Sequence, residues 1–377
     1  MKKLIGIVAA AALLATSAFA QISISGWGVG VWVPFGYDGD ARMSYGASWK
    51  KFSPRVGVTV AGDSENFGFV FGFKADGGEP AINDVAYVWS KPWDWLKISV
   101  GMILDDTLRV NNEFGQYKWI RAGAGNVGED LTFRRIGDYG GYKNGGSMNG
   151  AEIALTPIEG LYIAAGFKMD KTTDFVDVLK VSQYAVGYKI DDLLAIKAQY
   201  IGSSLGYGKN KNWTLDYENK YCGIINAAVD LLMIEDNYIS IGAYIPTDFK
   251  QQITVSAVYN GGFDALSINA LVGAMINKDD EKDLTGLEIG VGAGYDFGNS
   301  LTIEADVRTE LGFPKVGDAY GDISIGAFFT KGFSNGKVGV GAVVAIPFGD
   351  GNEVGFNLLS DSDKVSIAIP VRLEYSF

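Results

Sequence analysis

The chemistry open to this 377-residue chain is bounded first by a residue type it lacks, since it contains no histidine. Histidine is the usual general base near neutral pH, the group that orients a nucleophilic serine or cysteine, and the commonest zinc ligand. Triad chemistry and His-based zinc sites are therefore excluded. The single cysteine, Cys222, cannot form an intrachain disulfide and reads as a packing residue. Carboxylate-only catalysis stays formally open, because 44 acidic residues always offer some pair at a workable distance. Nothing in their spacing singles out such a pair. The run Asp279-Asp280-Glu281-Lys282-Asp283 lacks the glycine and spacing of a calcium loop. Gly26, Gly28 and Gly30 sit in a strand-like segment with no helix to follow, which argues against a nucleotide fingerprint. No catalytic residue, metal or cofactor is expected.

What remains is charge placed against water. Asp105, Asp106, Arg109, Glu113, Arg121, Glu129, Asp130, Arg134 and Arg135 put both signs into one long connecting segment. Lys97, Lys197, Glu288, Glu304, Asp306, Arg372 and Glu374 instead occupy the polar side of alternating segments. Charges of both signs facing one another across a pore would set up a transverse field, which orients dipolar solutes and sets ion preference.

The elements that carry these charges read as strands. Leu301, Ile303, Ala305 and Val307 alternate with Thr302, Glu304, Asp306 and Arg308, and Phe67, Phe69, Phe71 and Phe73 alternate with Gly68, Val70, Gly72 and Lys74. This is the period of a sheet with one apolar face. The 51 glycines and 13% aromatics, against only 9 prolines, suit many strands joined by tight turns. Short turns are expected near 63–66, 91–94, 157–160, 191–192, 260–263, 297–300 and 332–335. Longer connections fall between them, at 34–54, 76–82, 104–150, 169–179, 203–221, 276–284, 310–320 and 347–364. A soluble sandwich has no reason for short and long connections to alternate, whereas a membrane barrel does. The expected fold is all-β: a transmembrane antiparallel β-barrel of about 16 to 18 strands, with short periplasmic turns and long extracellular loops. In that geometry the apolar face turns outward to lipid. The strand-borne charges must then line water, since Arg or Lys on the lipid face at mid-membrane costs roughly 2–4 kcal/mol.

Smaller expectations follow. Trp89, Tyr188, Tyr259, Tyr295 and Phe329 lead into short turns on the apolar face and would form an interfacial girdle. Trp27, Val29 and Val31 fall out of phase with Ile22 and Ile24, which places a bulge near Gly26. Inward Gly290, Gly292, Gly294, Gly339 and Gly341 could leave wall space for an inserted loop, or could mark strand curvature.

The ends of the chain set the compartment. Lys2 and Lys3, an apolar stretch from Leu4 to Leu14, and Ala18-Phe19-Ala20 form a secretory leader with cleavage after Ala20. Residues 21–377 then make a single barrel domain whose first strand begins at Ile22, with no room for an N-terminal plug and no lipid anchor. The net charge of −12 becomes more negative once the two leader lysines are gone. It argues against a nucleic-acid partner and for a mild cation preference.

At the other end, Val365, Ile367, Ile369, Val371, Leu373, Tyr375 and Phe377 alternate with small or polar residues, broken by Pro370, which is best suited to a bulge or an unpaired position. Leu373, Tyr375 and the terminal Phe377 resemble the C-terminal strand of bacterial outer-membrane barrels, a strand read by the barrel-assembly machinery. The chain as a whole resembles bacterial porins. Within it, Asn112-Glu113-Phe114-Gly115 is similar to the core of the constriction loop of general porins, and Trp95 to Arg109 is similar to a segment of the spirochaete kind. The resemblance implies that 104–150 folds inward, with Glu113 as its acidic constriction residue. It also implies outer-membrane lipid as surroundings, a passive channel for ions and small hydrophilic solutes, and either a homotrimer or a monomer. The competing reading is a surface adhesin or antigen whose purpose lies in its outer loops.

Overall fold

The computed structural model describes residues 21–47, 50–51, 55–76, 81–104, 126–127, 131–132, 148–169, 174–203, 222–247, 253–276, 284–314, 317–349 and 364–377. Alternation along the chain gives strands, and antiparallel pairing of successive strands closes them into a barrel of 18 staves. These are β1 (Gln21–Tyr37), β2 (Arg55–Asp63), β3 (Phe67–Asp76), β4 (Ala81–Trp93), β5 (Leu96–Ile103) and β6 (Met148–Leu155). Then come β7 (Leu161–Lys168), β8 (Gln183–Ile190), β9 (Leu194–Ser203), β10 (Cys222–Leu231), β11 (Asn237–Pro246) and β12 (Ile253–Phe263). The ring is completed by β13 (Leu266–Ile276), β14 (Leu284–Asp296), β15 (Leu301–Pro314), β16 (Tyr320–Phe333), β17 (Gly336–Phe348) and β18 (Ser366–Ser376). β1 seals the barrel by pairing with β2 from Gln21↔Asp63 to Val29↔Arg55 and with β18 from Trp27↔Ser376 to Tyr37↔Ile367. Closure removes the unpaired edges that a membrane interior would not tolerate.

The connections alternate as the fold class requires. Those at 64–66, 94–95, 156–160, 191–193, 232–236, 264–265, 297–300 and 334–335 are short and lie at the end of the barrel that holds Gln21 and Phe377. In the turn at 297–300, Gly298 and Asn299 take positive φ values of 81° and 52°, and the Asp296 side chain accepts a hydrogen bond from Gly298 N at 2.7 Å. At the opposite end Ala41–Ala47 folds back on the outer half of β1. A short helix, α1 (Phe175–Val181), is capped there by Asp174, which accepts from the backbone nitrogens of Val176 and Asp177.

Several local expectations are corrected. No irregularity lies at Gly26, since the β1–β2 register runs unbroken through it; the shift falls between Val33 and Gly36. The turn expected at 260–263 is strand, because β12 runs on to Phe263 and reverses at Asp264, whose φ is 54°. The turn at 91–94 likewise moves to 94–95. The reversal at 232–236, and with it β11, is an addition. Its residues Leu232, Met233 and Ile234 are apolar and carry no turn chemistry. The connection expected at 310–320 contracts, because β15 reaches Pro314. Pro370 sits where the β17–β18 ladder skips from Val371 to Ala368, facing the β1 irregularity between Trp32 and Phe35.

The polarity of the wall is reversed from that of a globular protein. Ile289, Val291, Ile303, Val307, Ile325, Phe329, Val340, Ile367 and Leu373 all point outward and exposed, with Val291 at 57%. Glu288, Asp306, Arg308, Ser324 and Ser366 are buried on the other side. An apolar surface of this extent marks contact with a membrane. Aromatic side chains gather near the short-turn end, as in the pairs Trp93–Trp95, Tyr295–Phe297 and Tyr375–Phe377, whose ring centroids stand 5.6, 5.0 and 6.0 Å apart. Tyr188, Tyr295 and Phe329 belong to this outer set. Trp89 does not, for it pairs with buried Ser99 and lies inward across Gly68.

Candidate functional site, the inner wall

Strand period alone decides which side chains enter the bore, because one residue in two must face it. On β14 to β16 the inward set includes Glu288, Glu304, Asp306, Arg308 and Asp322. Arg308 Nη2 meets Glu288 Oε1 at 2.6 Å, with side chains only 4% and 0% exposed. The inward glycines of β14 serve as seats for neighbouring side chains. A Cβ at Gly292 would meet Asn269 Oδ1 at 2.5 Å and Asp306 Cβ at 3.0 Å, and one at Gly294 would meet Ser267 Oγ at 2.5 Å. On β17 the Phe328 ring lies across Gly341.

Further round the ring, Arg372 and Glu374 on β18 form an ion pair, and Lys337 Nζ reaches Glu374 Oε2 at 2.8 Å. On β9 to β11, Lys197 Nζ stands 2.5 Å from Asp230 Oδ2. The other oxygen of Asp230 accepts from Ser240 Oγ at 2.8 Å and Tyr238 OH at 3.3 Å. The β1 to β5 sector is built differently. Arg55 lies over the Trp27 ring at 5.2 Å, and Lys97 stands 5.8 and 5.7 Å from the ring centroids of Tyr87 and Trp89.

The structure therefore turns Lys97, Lys197, Glu288, Glu304, Asp306, Arg372 and Glu374 to the interior, on separate sectors. It does not gather them into one cluster. Asp105, Asp106, Arg109, Glu113, Arg121, Arg134 and Arg135 lie outside the described residues, as do Ala18 and Ala20. Within the segment joining β5 to β6, Asn126–Val127 pairs with Leu131–Thr132, and Asn126–Val127 approaches β15 within 8 Å between Cα atoms. In an 18-stave ring, β15 lies on the far side from β5 and β6. Asp230 and Asp322 are interior residues absent from the expected set, and Trp89, expected on the outer girdle, is interior as well. The signal for Asp230 was present in the alternation of Asn226, Ala228 and Asp230.

No family model and no curated protein matches the chain at the sequence level. Solved structures do match. OpdQ of Pseudomonas aeruginosa superposes with TM-score 0.54 at 10% identity, covering 95% of this chain and 98% of its own. OccK11 (OpdR) of the same organism gives 0.53 at 8% identity, covering 95% and 96%. An anion-selective porin from Comamonas acidovorans aligns over 95% and 100% at 11% identity with TM-score 0.47. At these identities the first two matches establish the fold, that of a transmembrane β-barrel porin.

Proposed function

We propose that the chain is a bacterial outer-membrane porin, a passive water-filled channel for ions and small hydrophilic solutes with a mild preference for cations. The observation that carries this reading is the reversed wall, apolar side chains exposed outward and ionised ones enclosed, on a ring that closes on itself. Such a wall is stable only between lipid and an aqueous or polar interior. Cation preference is supported by the net charge of −12 and by Glu304, Asp306 and Asp322 on adjacent staves, where Arg308 is already paired with Glu288. The reach of Asn126–Val127 to the far wall supports a constriction formed by 104–150, with Asp105, Asp106, Arg109, Glu113, Arg121, Arg134 and Arg135 as its charged residues. A non-enzymatic role fits the lack of histidine. Leader cleavage after Ala20, and reading of Leu373, Tyr375 and Phe377 by the assembly machinery, would deliver the barrel to its membrane.

Planar-bilayer recording of the purified mature chain tests the proposal. A steady ohmic conductance with a cation-favouring reversal potential is expected, and Glu113→Gln and Glu304→Gln should each move that potential towards anions. Absence of steady current from a heat-modifiable, folded barrel would overturn the channel and favour the adhesin reading.

A further inference from the structure

The inward charges of this barrel are mostly neutralised in place, as Lys197 is by Asp230 and Arg308 by Glu288. Lys91 and Lys97 are exceptions. Neither ammonium has a carboxylate within 4.0 Å among the described residues; each rests instead on an aromatic face, Lys91 at 5.5 Å from the Trp89 ring and Lys97 at 5.7 Å from the same ring. A cation–π contact at a hydrated site is worth only about 0.5–1 kcal/mol and leaves the N–H donors of both ammoniums unused. Both lysines open onto one recess of about 270 Å³ on the inner wall between β4 and β7. That is just under the range of about 300–1,000 Å³ usual for drug-sized ligands, so its occupant is smaller.

The remaining walls of the recess specify more than a bare anion. Ser99, 1% exposed, turns into it a hydroxyl with no hydrogen-bond partner among the described residues. A buried hydroxyl left unmatched costs about 1–3 kcal/mol, which a ligand's polar group would recover. Glu152 pairs in register with Ser99, and it and Asp94 at the turn present acceptor oxygens to the same space. The residue opposite Lys97 is Ala154, whose small side chain leaves the ammonium accessible. Tyr87 and Tyr162 supply flat apolar sides, which suit the C–H faces of a sugar-like carbon skeleton.

Resting on the reading of this wall as the lumen of a channel, we infer that Lys91, Lys97, Ser99 and Glu152 form a binding subsite for a small anionic polyol. Its acid group would be held by the two ammoniums, and its hydroxyls would donate to Glu152 and bond with Ser99. The subsite would detain one class of anion in a bore that otherwise prefers cations.

Isothermal titration of the folded mature chain in detergent with sodium gluconate tests this without requiring ion flow. Saturable binding is expected, with acetate and glucose each at least tenfold weaker because each satisfies only half of the site. Lys97→Gln should weaken gluconate at least tenfold, Lys97→Arg should keep most of the affinity, and Glu152→Gln should erase the preference for gluconate over acetate. If Lys97→Gln fails to fold, Lys91→Gln at the exposed rim gives the same reading with a smaller loss. No saturable gluconate binding by the wild-type chain, or binding that both lysine variants leave unchanged, overturns the subsite. Loss of conductance in bilayers with binding intact would instead overturn the channel reading alone.

Discussion

On β14 and β15, Glu288 and Arg308 meet at 2.6 Å and are almost wholly buried, whereas on β4 and β5, Lys91 and Lys97 lie over aromatic rings at 5.5–5.8 Å. Both sectors obey the same strand period and face the same bore. They differ in what becomes of a charge there. In the first sector Arg308 and Glu288 close on each other, so these two charges are structural. The second leaves ammonium groups that water or a solute must complete, and they should be cheap to remove and informative about what passes.

That contrast can be broken most sharply by deleting one partner on each side. Arg308→Ala strands the buried Glu288 carboxylate and should cost about 3–5 kcal/mol, read as a lowered urea midpoint for the detergent-folded barrel. Lys97→Ala should cost no more than about 1 kcal/mol in the same assay; equal losses would erase the distinction. The double variant Glu288→Gln with Arg308→Met should recover part of the first loss, because the Glu288 carboxylate is then no longer stranded, while Asp322 still lacks the Arg308 charge beside it.

The outer side of the same staves supplies the next effect. Val291→Arg on the exposed face of β14 should destabilise insertion into bilayers by about 2–4 kcal/mol, measured by folding titration into lipid vesicles. A neutral outcome would mean that this face does not meet acyl chains. Trp89→Ala should be milder, about 0.5–1 kcal/mol from the lost cation contacts, and should leave Lys97 more reactive towards an amine reagent supplied in the lumen. Smallest of all are the selectivity changes. Glu304→Gln and Lys97→Gln should shift the reversal potential by a few millivolts in opposite directions, the first towards anions and the second towards cations.

Much of this was legible in the chain because period two is so strict a constraint. Glu304 and Asp306 could be assigned to one side from Ile303, Ala305 and Val307 alone, and the last strand declared itself through Leu373, Tyr375 and Phe377. Legibility failed where both faces of a strand are apolar. In β4, Val85, Tyr87 and Trp89 interleave with Ala86 and Val88, so hydropathy could not tell which set faces lipid, and the register placed Trp89 inside. In β1 the small residues Gly26, Gly28 and Gly30 face out, while Val31 and Val33 pack inward against Phe328, Val343, Ala345 and Ala368. That inversion mimicked a bulge. The turn at 232–236 was hidden by its own Leu232, Met233 and Ile234. The lysine subsite was out of reach for another reason: nothing local to Lys97 and Lys197 reveals that each faces an alanine in register, Ala154 and Ala228, and that Lys197 alone reaches a carboxylate, Asp230, on the diagonal.

The direction of each side chain in the wall decides between a membrane barrel and its inverse, and a cysteine scan along β15 reads that direction residue by residue. With Cys222 first replaced by Ser, a fluorophore attached in turn at positions 302 to 307 would be exposed to brominated lipids in reconstituted vesicles. Strong quenching is predicted at 303, 305 and 307, with weak quenching at 302, 304 and 306. Quenching of the opposite phase, or of no phase at all, would contradict a barrel with its apolar face towards lipid and its charges towards the lumen.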